Sequence, residues 1–177
     1  MQLRTIAAIA AFAATIPAAN WLISNVGTEC IPNGPCLIPV GFGLMAPSGV
    51  LLIGLALVLR DFVQELAGVK GALAAIAIGG VLSWFFAPGP LVVASVAAFL
   101  LAELADLAVY TPLRKNRMAL AVLASGAVGA AIDSAVFLYL AFGSLDYIAG
   151  QIVGKFWMSA AAAIILLAID VKRRPAL

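Results

Sequence analysis

Apolar runs close to the length of a bilayer crossing fill this chain, separated by short breaks rich in proline, glycine or basic residues. Crossing the hydrocarbon core as a helix takes about 20 residues. Six runs meet or approach that length: Leu3–Ser24, Ser48–Leu66, Gly71–Phe86, Leu91–Tyr110, Met118–Leu140 and Ile148–Ile169. Pro32, Pro35, Pro39 and Pro47 fill the first gap, Pro88-Gly89-Pro90 separates the third and fourth runs, and Thr111-Pro112 closes the fourth. Proline and glycine clusters end helices for want of an N–H or of backbone restraint. The pattern predicts an all-α polytopic membrane protein: one domain, residues 1–177, built as a compact bundle of six transmembrane helices. Its third span is the shortest, and a long outer loop occupies residues 25–47.

Composition excludes a soluble alternative. Hydrophobic residues make up 65% of the chain and charged residues 10%, against about 45–50% and about 25% in soluble domains. The first run follows Arg4 as a signal peptide would, but no clean small-x-small cleavage pattern follows it, and the apolar stretch continues through Trp21 and Ile23. It is therefore expected as a retained first span. Arg114, Lys115 and Arg117 lie between spans four and five, and Lys172, Arg173 and Arg174 follow span six. With six spans, Arg4 and Lys70 fall on that same side, so the positive-inside rule places both termini in the cytoplasm. Cys30 and Cys36 then share the outer loop, where a disulfide and two free thiols both fit the sequence. A loop of that length is more than a connector, and a lid over the outer mouth is one role for it.

Charge changes the picture more than composition does. Arg60, Asp61, Glu65, Glu103, Asp106, Asp133 and Lys155 sit within or at the edges of the apolar runs. A charge at mid-bilayer costs at least ~2.5–3.5 kcal/mol, so such groups face a partner, a cavity or a substrate. At 1.5 Å rise per residue, Arg60, Asp61, Glu103 and Asp106 share a layer ~18–22 Å below the outer ends of their spans. Asp133 and Lys155 meet nearer the outside, ~8–10 Å below that boundary. Gln151 precedes Lys155 by one turn, and Asn20, Ser83 and Trp84 reach broadly similar heights. Carboxylates, an amide, an ammonium and an indole converging from several helices suit a planar, hydrogen-bonding solute. Structural ion pairing would account for Arg60 and for Asp133 with Lys155 equally well. Trp21 and Trp157 read as interfacial anchors, and Gly150/Gly154 and Ser125/Gly129 as close-packing faces. Even so, the carboxylates of the inner layer outnumber the single Arg60, and the surplus must be protonated, hydrated or ligand-bound.

Several segments also carry a family likeness. Ala46-Pro-Ser-Gly-Val-Leu-Leu-Ile-Gly running into Leu59-Arg-Asp-Phe-Val-Gln-Glu65, then Ala102-Glu-Leu-Ala-Asp-Leu-Ala-Val-Tyr110, Gly129-Ala-Ala-Ile-Asp-Ser134 and Gly150-Gln-Ile-Val-Gly-Lys155, form an ordered set. This set resembles the vitamin-uptake-transporter-like family of the YhhQ type, whose members import queuosine precursors. The resemblance implies an importer in the bacterial inner membrane, carrying 7-deazaguanine bases in their cyano or aminomethyl forms. It points to Arg60, Asp61, Glu65, Glu103, Asp106, Asp133, Gln151 and Lys155 as functional positions; Glu103, Asp133, Gln151 and Lys155, with Asn20 and Trp84 from the depth reading, are the substrate-binding candidates. Arg60, Asp61, Glu65 and Asp106 are expected as an ion-pair and coupling set. The expected partners are a purine-like small molecule and the lipid bilayer, with no nucleic acid, no metal and no cofactor; a homodimer stays open. The alternative is the substrate-binding subunit of an energy-coupling-factor importer, which is also a small six-span protein. An enzyme has little support, because the chain has no histidine, no Gly-x-Ser-x-Gly element and no phosphate-binding glycine loop.

Overall fold

The computed structural model describes residues 3–32, 34–115 and 117–173, with side chains described to residue 169. Arg174 and the side chains of Lys172 and Arg173, on which part of the expected orientation rests, lie outside the described residues. Helix α1 (Leu3–Asn25) leads into three short strands, β1 (Glu29–Cys30), β2 (Cys36–Gly41) and β3 (Leu44–Pro47). Helices α2 (Val50–Phe86), α3 (Val92–Leu113), α4 (Met118–Phe142) and α5 (Ile148–Arg173) follow, with one 3-10 turn at Gly89–Leu91 ahead of α3. Among the described residues, five helical stretches are long and apolar enough to cross a membrane.

The break between the second and third expected spans is a kink within α2, not a loop. The segments expected as spans two and three form one element of 37 residues, broken only at Gly68, where φ is 70° and ψ −178°. That backbone conformation is open almost only to glycine. A straight helix of that length would extend about 55 Å, yet Ile53 and Ser83, from its two arms, line one cavity. Ala56 and Val63 of the first arm likewise join Ala75 and Ile76 of the second in a single core cluster with Phe12, Ile16 and Phe99. The chain therefore folds back at Gly68 without a loop. Sequence reading placed a gap there because Gly68, Lys70 and Gly71 interrupt the apolar run. Helix α1 contributes Phe12 and Ile16 to that core, so the first apolar run is packed as a bundle member.

Strands are the second departure. The outer loop, for which no strand was expected, forms an antiparallel sheet of order β1-β2-β3. Cys30 pairs directly with Cys36 across β1 and β2, and the two are disulfide-bonded. Phe42 and Gly43 connect β2 to β3 with φ of 54° and 73°, the positive values that two-residue hairpin turns require. This meander packs against both α1 and α5. Trp157 of α5 pins it: Nε1 donates to the Val40 carbonyl at 2.8 Å, and the indole stacks on Phe42. Trp157, read from sequence as an interfacial anchor, thus tethers the hairpin as well.

Small residues let the elements approach. Gly54 of α2 lies so close to α5 that a Cβ there would stand 2.5 Å from the Lys155 carbonyl oxygen. A Cβ on Gly154 would meet Val50, and one on Gly150 would meet the Met45 carbonyl of β3. The Gly150/Gly154 face therefore seats α2 and the meander against α5, which brings Lys155 into the bundle interior.

Candidate functional site

A cavity opens at the end of the bundle that carries the meander. It is walled by all five long helices and by Pro47 of β3. Counted together with its open mouth, it encloses about 540 Å³ of empty space. Ile16, Ala19, Val50, Ile53, Phe99 and Phe137 make most of its wall, and Asn20, Ser83, Ser95, Asp133, Gln151 and Lys155 bring the polar groups. The polar residues sit on different helices and reach one space because Gly49, Gly54 and Gly154 let α1, α2 and α5 close in.

Lys155 organises this site. Its side chain is 1% exposed, and Nζ lies 2.6 Å from Asp133 Oδ2. The same ammonium donates to Ser134 Oγ at 2.9 Å and to Gln151 Oε1. An ammonium has three N–H donors and no acceptor, so Lys155 is saturated by the protein. Lys155 lines the cavity, as expected of a substrate contact, but its three N–H donors are already taken by Asp133, Ser134 and Gln151. Among the described residues, no hydrogen bond takes up Asp133 Oδ1 or Gln151 Nε2. One anionic acceptor and one amide donor group are left for a guest. Asn20 spends one amide hydrogen on the Ile16 carbonyl at 2.9 Å and lines the same wall.

Two expected substrate contacts lie elsewhere. Trp84 is 59% exposed and does not line the cavity, because its neighbour Ser83 takes the inward position on the helix. The aromatic faces in the wall are Phe99 and Phe137 instead. Glu103 is buried but belongs to the inner cluster, where Arg60 Nε donates to its Oε2 at 3.2 Å.

That inner cluster gathers around Arg60, which is fully buried. Its guanidinium donates to Asp106 Oδ1 and to Gln64 Oε1 at 3.0 Å, and lies 2.9 Å from Asp61 Oδ1. The Tyr110 ring covers it at 5.5 Å from the centroid, within cation–π range. Gln64 continues the chain to Thr111 Oγ1 at 3.0 Å. Glu65 departs from the expected layer: it is partly exposed and pairs with Arg114 at 2.6 Å, while Tyr110 donates to it at 3.1 Å. The polar groups thus run from the cavity's floor to the opposite end of the bundle, but none of Arg60, Asp61, Glu103 or Asp106 lines the cavity.

Gln64, Tyr110, Thr111, Arg114 and Ser134 were not picked out as site residues by sequence. Gln64 stands one helical turn from Arg60 and Ser134 follows Asp133, so spacing alone would have flagged both. Arg114 was read only as a topology determinant. No group of three or more His, Cys, Asp or Glu side chains is placed to hold a metal ion among the described residues.

Residues 83–169 match a family model described as "Putative vitamin uptake transporter". The match takes in just under half of the chain, including the later motifs from Ala102 to Lys155. That stretch is thus similar to a transport family, and the several helices long and apolar enough to cross a membrane are those of a multi-pass membrane protein. The matched stretch contains Glu103, Asp106, Asp133, Gln151 and Lys155; Asn20, Arg60 and Asp61 precede it. No curated protein and no solved structure matches the chain.

Proposed function

We propose that this protein imports a planar nitrogen heterocycle across the bacterial inner membrane, specifically a 7-deazaguanine precursor of queuosine in its cyano or aminomethyl form. The observation that carries this reading is the pair of unclaimed groups in an otherwise apolar, open-mouthed cavity. A lactam edge offers an N–H beside a carbonyl; Asp133 Oδ1 accepts from the first, and Gln151 Nε2 donates to the second. Phe99 and Phe137 supply faces for the ring, and the aliphatic wall favours a flat solute over a hydrated ion.

Transport follows from the asymmetry between the two ends. The cavity is open beside the meander, while the Arg60 cluster and the Glu65–Arg114 pair close the other end. Alternating access exchanges these pairs for a closed outer mouth once the base is seated. The bundle crosses the bilayer six times with both termini cytoplasmic. Support for that count is the reversal of α2 at Gly68, and the loop bearing Arg114 and Lys115 gives the basic side.

The test is uptake of labelled 7-deazaguanine by cells unable to make queuosine, with tRNA modification as the readout. Asp133→Asn and Gln151→Ala should accumulate normally in the membrane and each lose uptake at least tenfold, on the order of 1.4 kcal/mol or more. Unchanged restoration by both would remove the site. Uptake into liposomes holding this chain alone separates an autonomous importer from an energy-coupling-factor subunit, which needs its ATP-binding module.

A further inference from the structure

Three uncharged polar side chains of the cavity wall take no part in the Lys155 network: Asn20 of α1, Ser83 of α2 and Ser95 of α3. Close packing one turn deeper brings them together. Gly79 lies so near α1 and α3 that a Cβ there would run into the Phe99 ring and the Ile16 side chain. Helix α1 and the second arm of α2 both run toward the meander end, and α3 starts there and runs away from it. One helical turn outward from Ile16, Gly79 and Phe99 therefore reaches Asn20, Ser83 and Ser95. The three share a level and line one space.

Their hydrogen bonding sets them apart. A hydroxyl inside a helix can fall back on the carbonyl one turn before it, as Thr111 does on Leu107 and Ser134 on Ala130, each at 2.6 Å. Among the described residues neither Ser83 nor Ser95 does so, and neither hydroxyl has another protein partner. Ser83 is 2% exposed, so its hydroxyl is reached through the cavity alone. Asn20 gives one amide hydrogen to the Ile16 carbonyl, which orients the amide and leaves Oδ1 free. Buried polar groups without partners are costly, and a guest that fills the cavity must bring partners to these atoms. Helix α1 packs on α2, while α4 packs on α3 and α5. Asn20 thus reaches the cavity from the side away from Asp133.

We propose that Asn20, Ser83 and Ser95 form a second, uncharged subsite, which takes the edge of the heterocycle remote from its lactam. The subsite deepens the transport reading and rests on it. In a deazaguanine that edge is a pyrrole N–H beside a bare ring nitrogen. Asn20 Oδ1 accepts from the N–H, and a serine hydroxyl donates to the ring nitrogen. Recognition at both ends makes an unsubstituted pyrrole nitrogen a condition of binding. The free base is held, and the same base carrying a sugar or a methyl group on that nitrogen is refused. A site built to hydrogen-bond an N–H rejects the analogue that lacks it, because its own polar groups are then left unpaired.

The experiment uses the full chain in lipid nanodiscs. Labelled 7-cyano-7-deazaguanine is the ligand, and the same base methylated on the pyrrole nitrogen is the competitor. The wild type should bind the free base tighter by roughly tenfold or more. Ser83→Ala and Asn20→Ala should each weaken the free base about three- to tenfold. Both should leave the methylated base almost unchanged, as a contact made only by the intact edge requires. Equal binding of the two bases by the wild type, a comparison that needs no variant, overturns the subsite while the transport reading stands. Equal weakening of both bases by the variants also overturns it, since a purely structural role would do that. If the wild type binds neither base, the transport reading falls and takes the subsite with it.

Discussion

Lys155 and Arg60 are both buried cations facing carboxylates inside one bundle, yet their surroundings differ in every respect that bears on function. Around Lys155 the charges balance one to one, and all three N–H donors are spent on Asp133, Ser134 and Gln151. Around Arg60 three carboxylates face one guanidinium. The first group borders open space and presents unspent donor and acceptor groups to it. The second is packed under Tyr110 and linked by Gln64 to Thr111. Burial of charge alone would rank the two alike. Counting donors against acceptors, and asking where empty space lies, separates the proposed guest site from the proposed gate.

The largest expected effect tests the inner group. Arg60→Met strips the only cation from three buried carboxylates, and removing one partner of a buried pair costs about 3–5 kcal/mol. Its Tm in nanodiscs should drop by many degrees, and a Tm near wild type would mean the cluster holds nothing together. The outer group should behave differently under a matched change. Replacing both members of its pair, Asp133→Leu with Lys155→Met, removes the charges together and should alter stability by no more than about 1–2 kcal/mol, because apolar pairs substitute for buried ion pairs at little cost. Uptake should nevertheless vanish. Retained uptake in that stable double variant would erase the distinction drawn above. The smallest effect belongs to Glu65→Gln, which loosens a partly exposed pair worth about 0–1 kcal/mol. Stability should scarcely move, whereas a Thr111→Cys probe should react faster with a maleimide applied from the side that bears Arg114. Equal reactivity would show that the Glu65–Arg114 pair is no latch.

Much of this was legible in the chain itself. Helical rise alone put Arg60 level with Glu103 and Asp133 level with Lys155, and both pairs are in contact. That inference worked because span ends are fixed by the bilayer and a helix keeps depth proportional to sequence. Depth says nothing of azimuth, however, and there the reading failed. Trp84 and Glu103 stand at suitable heights but face away from the cavity, and Glu65 turns to the surface beside Arg114. The short strands were hidden for another reason. Cys36–Gly41 follows Pro35 and contains Pro39, and only pairing with Glu29–Cys30 and Leu44–Pro47 makes that segment a strand.

What the sequence determined by itself was the solvent, the approximate lengths of the helices, and which charges share a depth. These follow from local composition and from a fixed rise per residue. Only the tertiary structure decided that Gly68 folds α2 back without a loop, that Lys155 is saturated while Asp133 and Gln151 are not, and that Ser125 meets two aspartates. Each of those depends on how helices rotate and approach one another. Contacts among residues far apart in the chain set that rotation, and no single segment records it.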